Sequence, residues 1–193
     1  MEASTQTNTP LGALSALGTS VWLDSIRRSM FTGGELLKLV TEDSVVGMTS
    51  NPAIFEKAIL GSDDYADRLA ELATAGHSAQ EIYDVLSVED VQAAADVLRP
   101  VYDATNGHDG YVSLEVPPDL ALDSDLTSKA AERFWKLLDR PNVMIKIPGT
   151  NEGLTSIRKA VAAGINVNVT LLFAVDAYVA VADAYMSGLE DRI

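Results

Sequence analysis

Five short apolar strand patterns punctuate the chain, and each leads into a segment whose apolar residues recur every three to four positions. They are residues 20–24 (SVWLD), 45–49 (VVGMT), 111–116 (YVSLEV), 143–147 (VMIKI) and 166–171 (NVNVTL). Strands alternating with helices through short turns specify parallel βα units rather than a meander or sandwich, because each helix carries the chain back before the next strand begins. The expected fold class is α/β, of the (β/α) TIM-barrel type.

Helix starts are sought in pairs of a hydroxyl and a carboxylate that serve backbone donors left over in the first turn. Thr32 with Glu35, Ser78 with Glu81 and Ser87 with Asp90 have that spacing and predict three starts. Residues 126–138 and 153–163 read as further helices, the second closed by Gly164, which suits a left-handed cap, and residues 174–189 as a last one. The stretch between the second and third strands is longer and carries several helices. No fixed-period repeat or internal boundary stands out, so residues 1–10 are expected to be a disordered tail and 11–193 one partial barrel.

Successive side chains of a strand point to opposite faces, so a polar residue among apolar neighbours marks the special face. Val143, Ile145 and Ile147 oppose Met144 and Lys146; Val167, Val169 and Leu171 oppose Asn166, Asn168 and Thr170. Tyr111, Ser113 and Glu115 oppose Val112, Leu114 and Val116, and Trp22 shares a face with Asp24. Thr49 shares a face with Gly47, and Asn51 follows at the exit of the second strand. In a parallel barrel the active site lies at the carboxyl ends of the strands. Asp24, Asn51, Glu115, Lys146, Asn168 and Thr170 are therefore expected to converge on one pocket. A buried ion-pair network is the structural alternative, but it would repeat a costly burial on several strands at the same level.

The chemistry open to such a pocket is narrow. Cysteine is absent, and His77 and His108 are too few and too far apart for a typical zinc site, so no metal is expected. A partly desolvated lysine can attack a carbonyl to form a Schiff base while nearby carboxylates move protons. With 28 acidic against 14 basic residues the net charge is −14, which repels phosphate backbones and anionic lipid surfaces. Nucleic acid and membrane are not expected partners. No run approaches the roughly 20 apolar residues of a membrane span, and the opening MEASTQTNTP lacks a signal-peptide pattern, so a cytoplasmic location is expected.

The motifs SVWLDSIRRS, GMTSNPAIFEKAI, YVSLEVPPDLALD, NVMIKIPGTNEGL and GINVNVTLLF, in this order over almost the whole chain, resemble the transaldolase family of class I aldolase-type enzymes of the pentose phosphate pathway. The resemblance implies that Lys146 is the Schiff-base lysine and Asp24 the general acid/base at the hydroxyl beside the bond that breaks. It implies that Glu115 with Thr170 positions a water for proton shuttling, and that Asn51 and Asn168 bind hydroxyls of a dihydroxyacetone unit. The implied reaction moves that unit from fructose 6-phosphate or sedoheptulose 7-phosphate to an aldose phosphate, with no cofactor. A fructose 6-phosphate aldolase-like enzyme and a non-catalytic sugar-phosphate-binding or assembly half-barrel are the alternatives.

A full barrel takes about 250 residues. This one is therefore expected to be truncated after about five βα units, with unpaired edge strands that favour a homo-oligomer. Away from the site, Arg27 and Arg28 read as ion-pair residues, Gly33 with Gly34 as a turn, and Trp22 and Trp135 as packing residues. The apolar stripe of AVDAYVAVADAY reads as a buried helix face.

Overall fold

The computed structural model describes residues 9–193, so most of the expected N-terminal tail lies outside the described residues. The chain groups into two compact units where the sequence offers no boundary. One holds the described residues up to Val112 together with Arg140–Asn142; the other holds Ser113–Asp139 and Val143–Ile193.

The first unit opens with helix α1 (Pro10–Ala16), which no sequence signal had marked. Thr9 caps it by accepting a hydrogen bond from the Gly12 amide at 3.0 Å, and proline occupies its first turn. Strand β1 (Val21–Asp24) pairs in parallel with β2 (Val45–Thr49), with Trp22 opposite Gly47 and Asp24 opposite Thr49. Between them lie α2 (Arg28–Thr32) and α3 (Glu35–Glu42); after them come α4 (Pro52–Leu60), α5 (Ala66–Thr74) and α6 (Ala79–Ala104). Tyr65, Leu72 and Leu86 form a buried cluster against Ile59, Leu69, Ile82 and Val85.

Of the three expected capping boxes, one forms. Ser78 and Glu81 bond reciprocally at the start of α6. Thr32 instead ends α2, its hydroxyl bonded back to the Arg28 carbonyl, and α3 starts from Gly34 at φ 74. Ser87 and Asp90 lie inside α6, where the Ser87 hydroxyl bonds the Asp84 carbonyl at 3.1 Å. The apolar positions Leu86, Val91, Ala94, Leu98 and Val101 keep one buried side through that region, so α6 continues and the serine bonds backward instead of capping.

At the entry to β3 (Tyr111–Glu115), the Gly110 amide donates to the Val46 carbonyl at 2.7 Å. Gly110 has φ 86, and a Cβ there would lie 2.3 Å from the Tyr102 nitrogen, so glycine permits the approach. Buried Asn142 donates to the Ala95 and Gly110 carbonyls, each at 2.8 Å, holding the stretch before β4 (Val143–Pro148) in the first unit.

The second unit continues through α7 (Ser124–Leu138), β4, α8 (Asn151–Ala162), β5 (Val167–Thr170) and α9 (Val175–Arg192). Helix α8 ends as expected before Gly164, at φ 79. Strands β4 and β5 pair in parallel, with Lys146 opposite Asn168 and Pro148 opposite Thr170. Val143, Ile145 and Ile147 are fully buried, in keeping with the helix-facing role their alternation assigns. The Ser128 hydroxyl lies 3.1 Å from that of Ser156, which donates to the Ser124 carbonyl at 2.8 Å, a polar seam between α7 and α8.

The expectation for the last helix needs correcting. On α9 only Val181 and Gly188 are buried, whereas Val175, Tyr178, Val179, Tyr185, Met186 and Leu189 are exposed. Gly188 fits against the Arg158 carbonyl and Val161 of α8, so small residues make the contact and the large apolar ones face outward. The five strands follow chain order, β1-β2-β3-β4-β5, the sequential order of a (β/α) barrel, in five βα units. Among the described residues no helix is long and apolar enough to cross a membrane.

Candidate active site at the strand ends

In the second unit three strands bring four of the expected residues together. Lys146 is the only charged residue of β4 and is 9% exposed. Strand alternation sends its side chain away from buried Ile145 and Ile147, and register sets it beside Asn168 of β5. Neighbouring β3 delivers Glu115 at the same level, since the Val116 amide donates to the Lys146 carbonyl. Glu115 Oε2 lies 3.8 Å from Lys146 Nζ. That separation makes an ion pair but exceeds direct hydrogen-bond reach. On its other oxygen, Oε1, Glu115 accepts a 3.4 Å hydrogen bond from Thr170 Oγ1.

One carboxylate thus faces a hydroxyl and an ammonium through different oxygens. A proton can pass between the lysine side and the threonine side through the carboxylate or a water beside it. The lysine's apolar stem is enclosed, which restricts its head group to a few orientations.

Asp24 and Asn51 belong to the first unit. Asp24 ends β1 exposed to solvent, opposite Thr49 of β2. Asn51 stands just before α4 and caps it, its Oδ1 accepting from the Ile54 amide at 2.9 Å. With that oxygen turned to the helix, the Nδ2 donors are the group it offers a ligand. Below Asp24 on the same face lies Trp22, whose indole covers Gly47. A Cβ at position 47 would meet the ring at 2.3 to 2.5 Å. The packing role expected of Trp22 is therefore coupled to that glycine. Its sequence signal was a glycine inside a strand, a mark of close approach.

Arg27 pairs with Glu35, and Arg28 with Glu89 and Asp90. The Arg28 guanidinium also lies 4.8 Å from the centre of the Tyr65 ring. Burial raises the Asp90 carboxyl above the usual aspartate range even though Tyr65 and Arg28 pull it down. Burial likewise pushes the Tyr65 phenol up, with Asp90 adding to it. Nothing local pointed to Tyr65, and Asp90 was expected only as a capping carboxylate; both lie far from Arg28 in the chain.

A family model described as Transaldolase/Fructose-6-phosphate aldolase matches residues 21–191. The transaldolase of Thermobifida fusca is 51% identical over 181 residues, covering 94% of this chain and 49% of that protein. That of Frankia alni is 51% identical over 184 residues, covering 95% and 50%. Transaldolase 1 of Streptomyces avermitilis is 49% identical over 180 residues, covering 93% and 48%. The chain spans about half the length of these curated relatives. The matched region begins with β1 and ends within α9, taking in all five strands and the lysine site, and the chain belongs to the transaldolase/fructose-6-phosphate aldolase family.

Proposed function

We propose that this chain carries the Schiff-base machinery of a transaldolase, transferring a dihydroxyacetone unit between sugar phosphates in the pentose phosphate pathway. The observation that carries the reading is enclosed Lys146 beside the Glu115–Thr170 pair in a member of this family. Lys146, as the free amine, attacks the ketose carbonyl; with a proton relayed through Glu115, water leaves and an iminium forms. Asp24 takes the proton of the hydroxyl beside the breaking carbon–carbon bond. The bonding electrons flow into the iminium, leaving a neutral enamine as the aldehyde departs. Addition of the enamine to an acceptor aldehyde, whose oxygen takes the proton back from Asp24, and hydrolysis of the new iminium return the lysine as the free amine with release of a proton. Glu115 with Thr170 holds the water and shuttles its protons; Asn51 and Asn168 hold substrate hydroxyls.

The test is borohydride reduction with fructose 6-phosphate and peptide mass spectrometry. A reduced adduct on Lys146, absent in Lys146→Met, supports the reading. No adduct, with a full-length transaldolase labelled in parallel, refutes it for this chain. The family takes in fructose 6-phosphate aldolase as well as transaldolase, and that aldolase is the second reading. Release of free dihydroxyacetone without an acceptor would select it, whereas acceptor-dependent transfer selects the transaldolase.

The cytoplasm suits such sugar phosphates, and the acidic surface disfavours nucleic acid as a partner. We also propose that α9 and the edge of β5 meet a second copy of the chain, because the outward stripe around Tyr178 and Met186 is apolar. Two copies of charge −14 repel, so association strengthens with salt. Light scattering at low and high salt, with Met186→Lys, decides it. A monomer under both conditions refutes it.

A further inference from the structure

Four residues beyond Asp24, Arg28 is held at both ends. Its backbone amide donates to Tyr65 Oη at 3.0 Å; its Nε donates to Asp90 Oδ1 at 2.9 Å and its Nη2 to Glu89 Oε2 at 3.0 Å. Tyr65 Oη in turn donates to Asp90 Oδ2 at 2.7 Å. Tyr65 is 0% and Asp90 1% exposed, so both carboxylate oxygens and the phenol oxygen are committed inside the first unit. Glu89 also accepts from Arg68, which pairs with Glu71.

Helix α2 has no side-chain cap of its own; the amide of its first residue is served by Tyr65 from outside the helix. The segment joining it to β1 is three residues long, and its middle residue, Ile26, is 1% exposed. One end of that segment is set by the pairing of Asp24 with Thr49, the other by the network. A buried ion pair is a poor source of stability compared with apolar side chains of the same volume, so its value lies in fixing a geometry.

We propose that the Arg28–Tyr65–Asp90 network is a positioning device for Asp24: by clamping the first residue of α2 to α6, it sets where β1 delivers that carboxylate. The functional meaning rests on the acid/base reading of Asp24. The clamp is tested without it. Tyr65→Phe keeps the ring but removes the hydroxyl, and Arg28→Lys keeps the charge but removes the fork, serving where the first variant does not fold. Ser78→Ala is the control, since it weakens the start of the same helix, α6, outside the network.

In the ligand-free chain, amide hydrogen exchange at residues 25–28 rises about tenfold in the network variants, the factor that one lost hydrogen bond carries. The carboxyl carbon resonance of Asp24 shifts with it. Ser78→Ala leaves both unchanged. In the borohydride assay the network variants keep the Lys146 adduct but release aldehyde about tenfold more slowly, as loss of acid/base geometry rather than of capture implies.

Equal acceleration of exchange in Ser78→Ala, or an unmoved Asp24 signal, overturns the proposal. Absence of any adduct in the unaltered chain overturns the acid/base reading instead, while exchange and the Asp24 resonance still decide the clamp.

Discussion

Gly47→Ala tests how the sheet supports Asp24. An ideal Cβ at residue 47 would lie 2.3 Å from Trp22 Cε2 and 2.5 Å from Cδ2 and Nε1. Carbon atoms in contact sit about 3.5 to 4.0 Å apart, so the indole must retreat by about 1 Å or more. Overpacking of this kind costs about 1 to 3 kcal/mol. Alanine in place of glycine within a strand returns about 0.5 to 1 kcal/mol, leaving a net loss of up to about 2.5 kcal/mol.

The same substitution in a Trp22→Leu background reverses sign: without the ring only the strand gain remains, and Gly47→Ala stabilises by about 0.5 to 1 kcal/mol. Urea unfolding of the four proteins measures both legs, and Trp22 fluorescence in a Trp135→Phe background reports the displaced indole. If alanine at 47 stabilises with Trp22 present, or destabilises equally in both backgrounds, the argument from the Trp22–Gly47 approach is wrong.

Other outcomes follow from single features. Ser156→Ala breaks the seam between α7 and α8 and costs about 1 to 2 kcal/mol. Adding Ser128→Ala costs less than the sum of the two, because the hydroxyls face each other at 3.1 Å; strict additivity in urea unfolding would count against the seam. Asp24→Asn retains the Lys146 adduct but loses aldehyde release; loss of the adduct itself would place Asp24 in capture rather than cleavage. For pH, Glu81 is lowered by its bond from the Ser78 amide, Asp125 by Lys159 and Asp191 by Arg158. Their stabilisation is present above the ordinary carboxylate range of about 3.9 to 4.3 and is lost as pH falls. All three are exposed, so 1 M salt flattens that loss. Asp90 runs the other way: raised by burial, its favourable contribution is full at low pH and lost as pH rises through its folded value. Carbon-detected NMR should find Asp90 titrating above about 3.9; a lower midpoint refutes the burial argument.

Local patterns carried much of this. Alternation assigned Lys146 and Asn168 to one face, and all five strands formed within a residue or two of their expected bounds. The motifs around Lys146, Glu115 and Thr170 led to the family that the comparisons show. Capping signals were less decisive, because a hydroxyl followed by a carboxylate occurs wherever serine and aspartate share a helix. Ser78 follows a real break, with Gly76 at φ 85, whereas Ser87 sits where the buried face of α6 continues. The stripe on α9 had the period of a buried face, yet period alone does not say whether another element covers it.

What the sequence by itself determined is therefore periodic and local: which segments are strands, which face of each is polar, where helices can start, and which family the motifs resemble. Only the tertiary structure decided the 3.8 Å between Lys146 and Glu115, the indole over Gly47, and the convergence of Arg28, Tyr65 and Asp90. Alternation is a property of consecutive residues, imposed by backbone geometry one strand at a time. Arg28 and Asp90 are 62 positions apart, and their meeting depends on how helices pack together, for which no short stretch of sequence carries a signature.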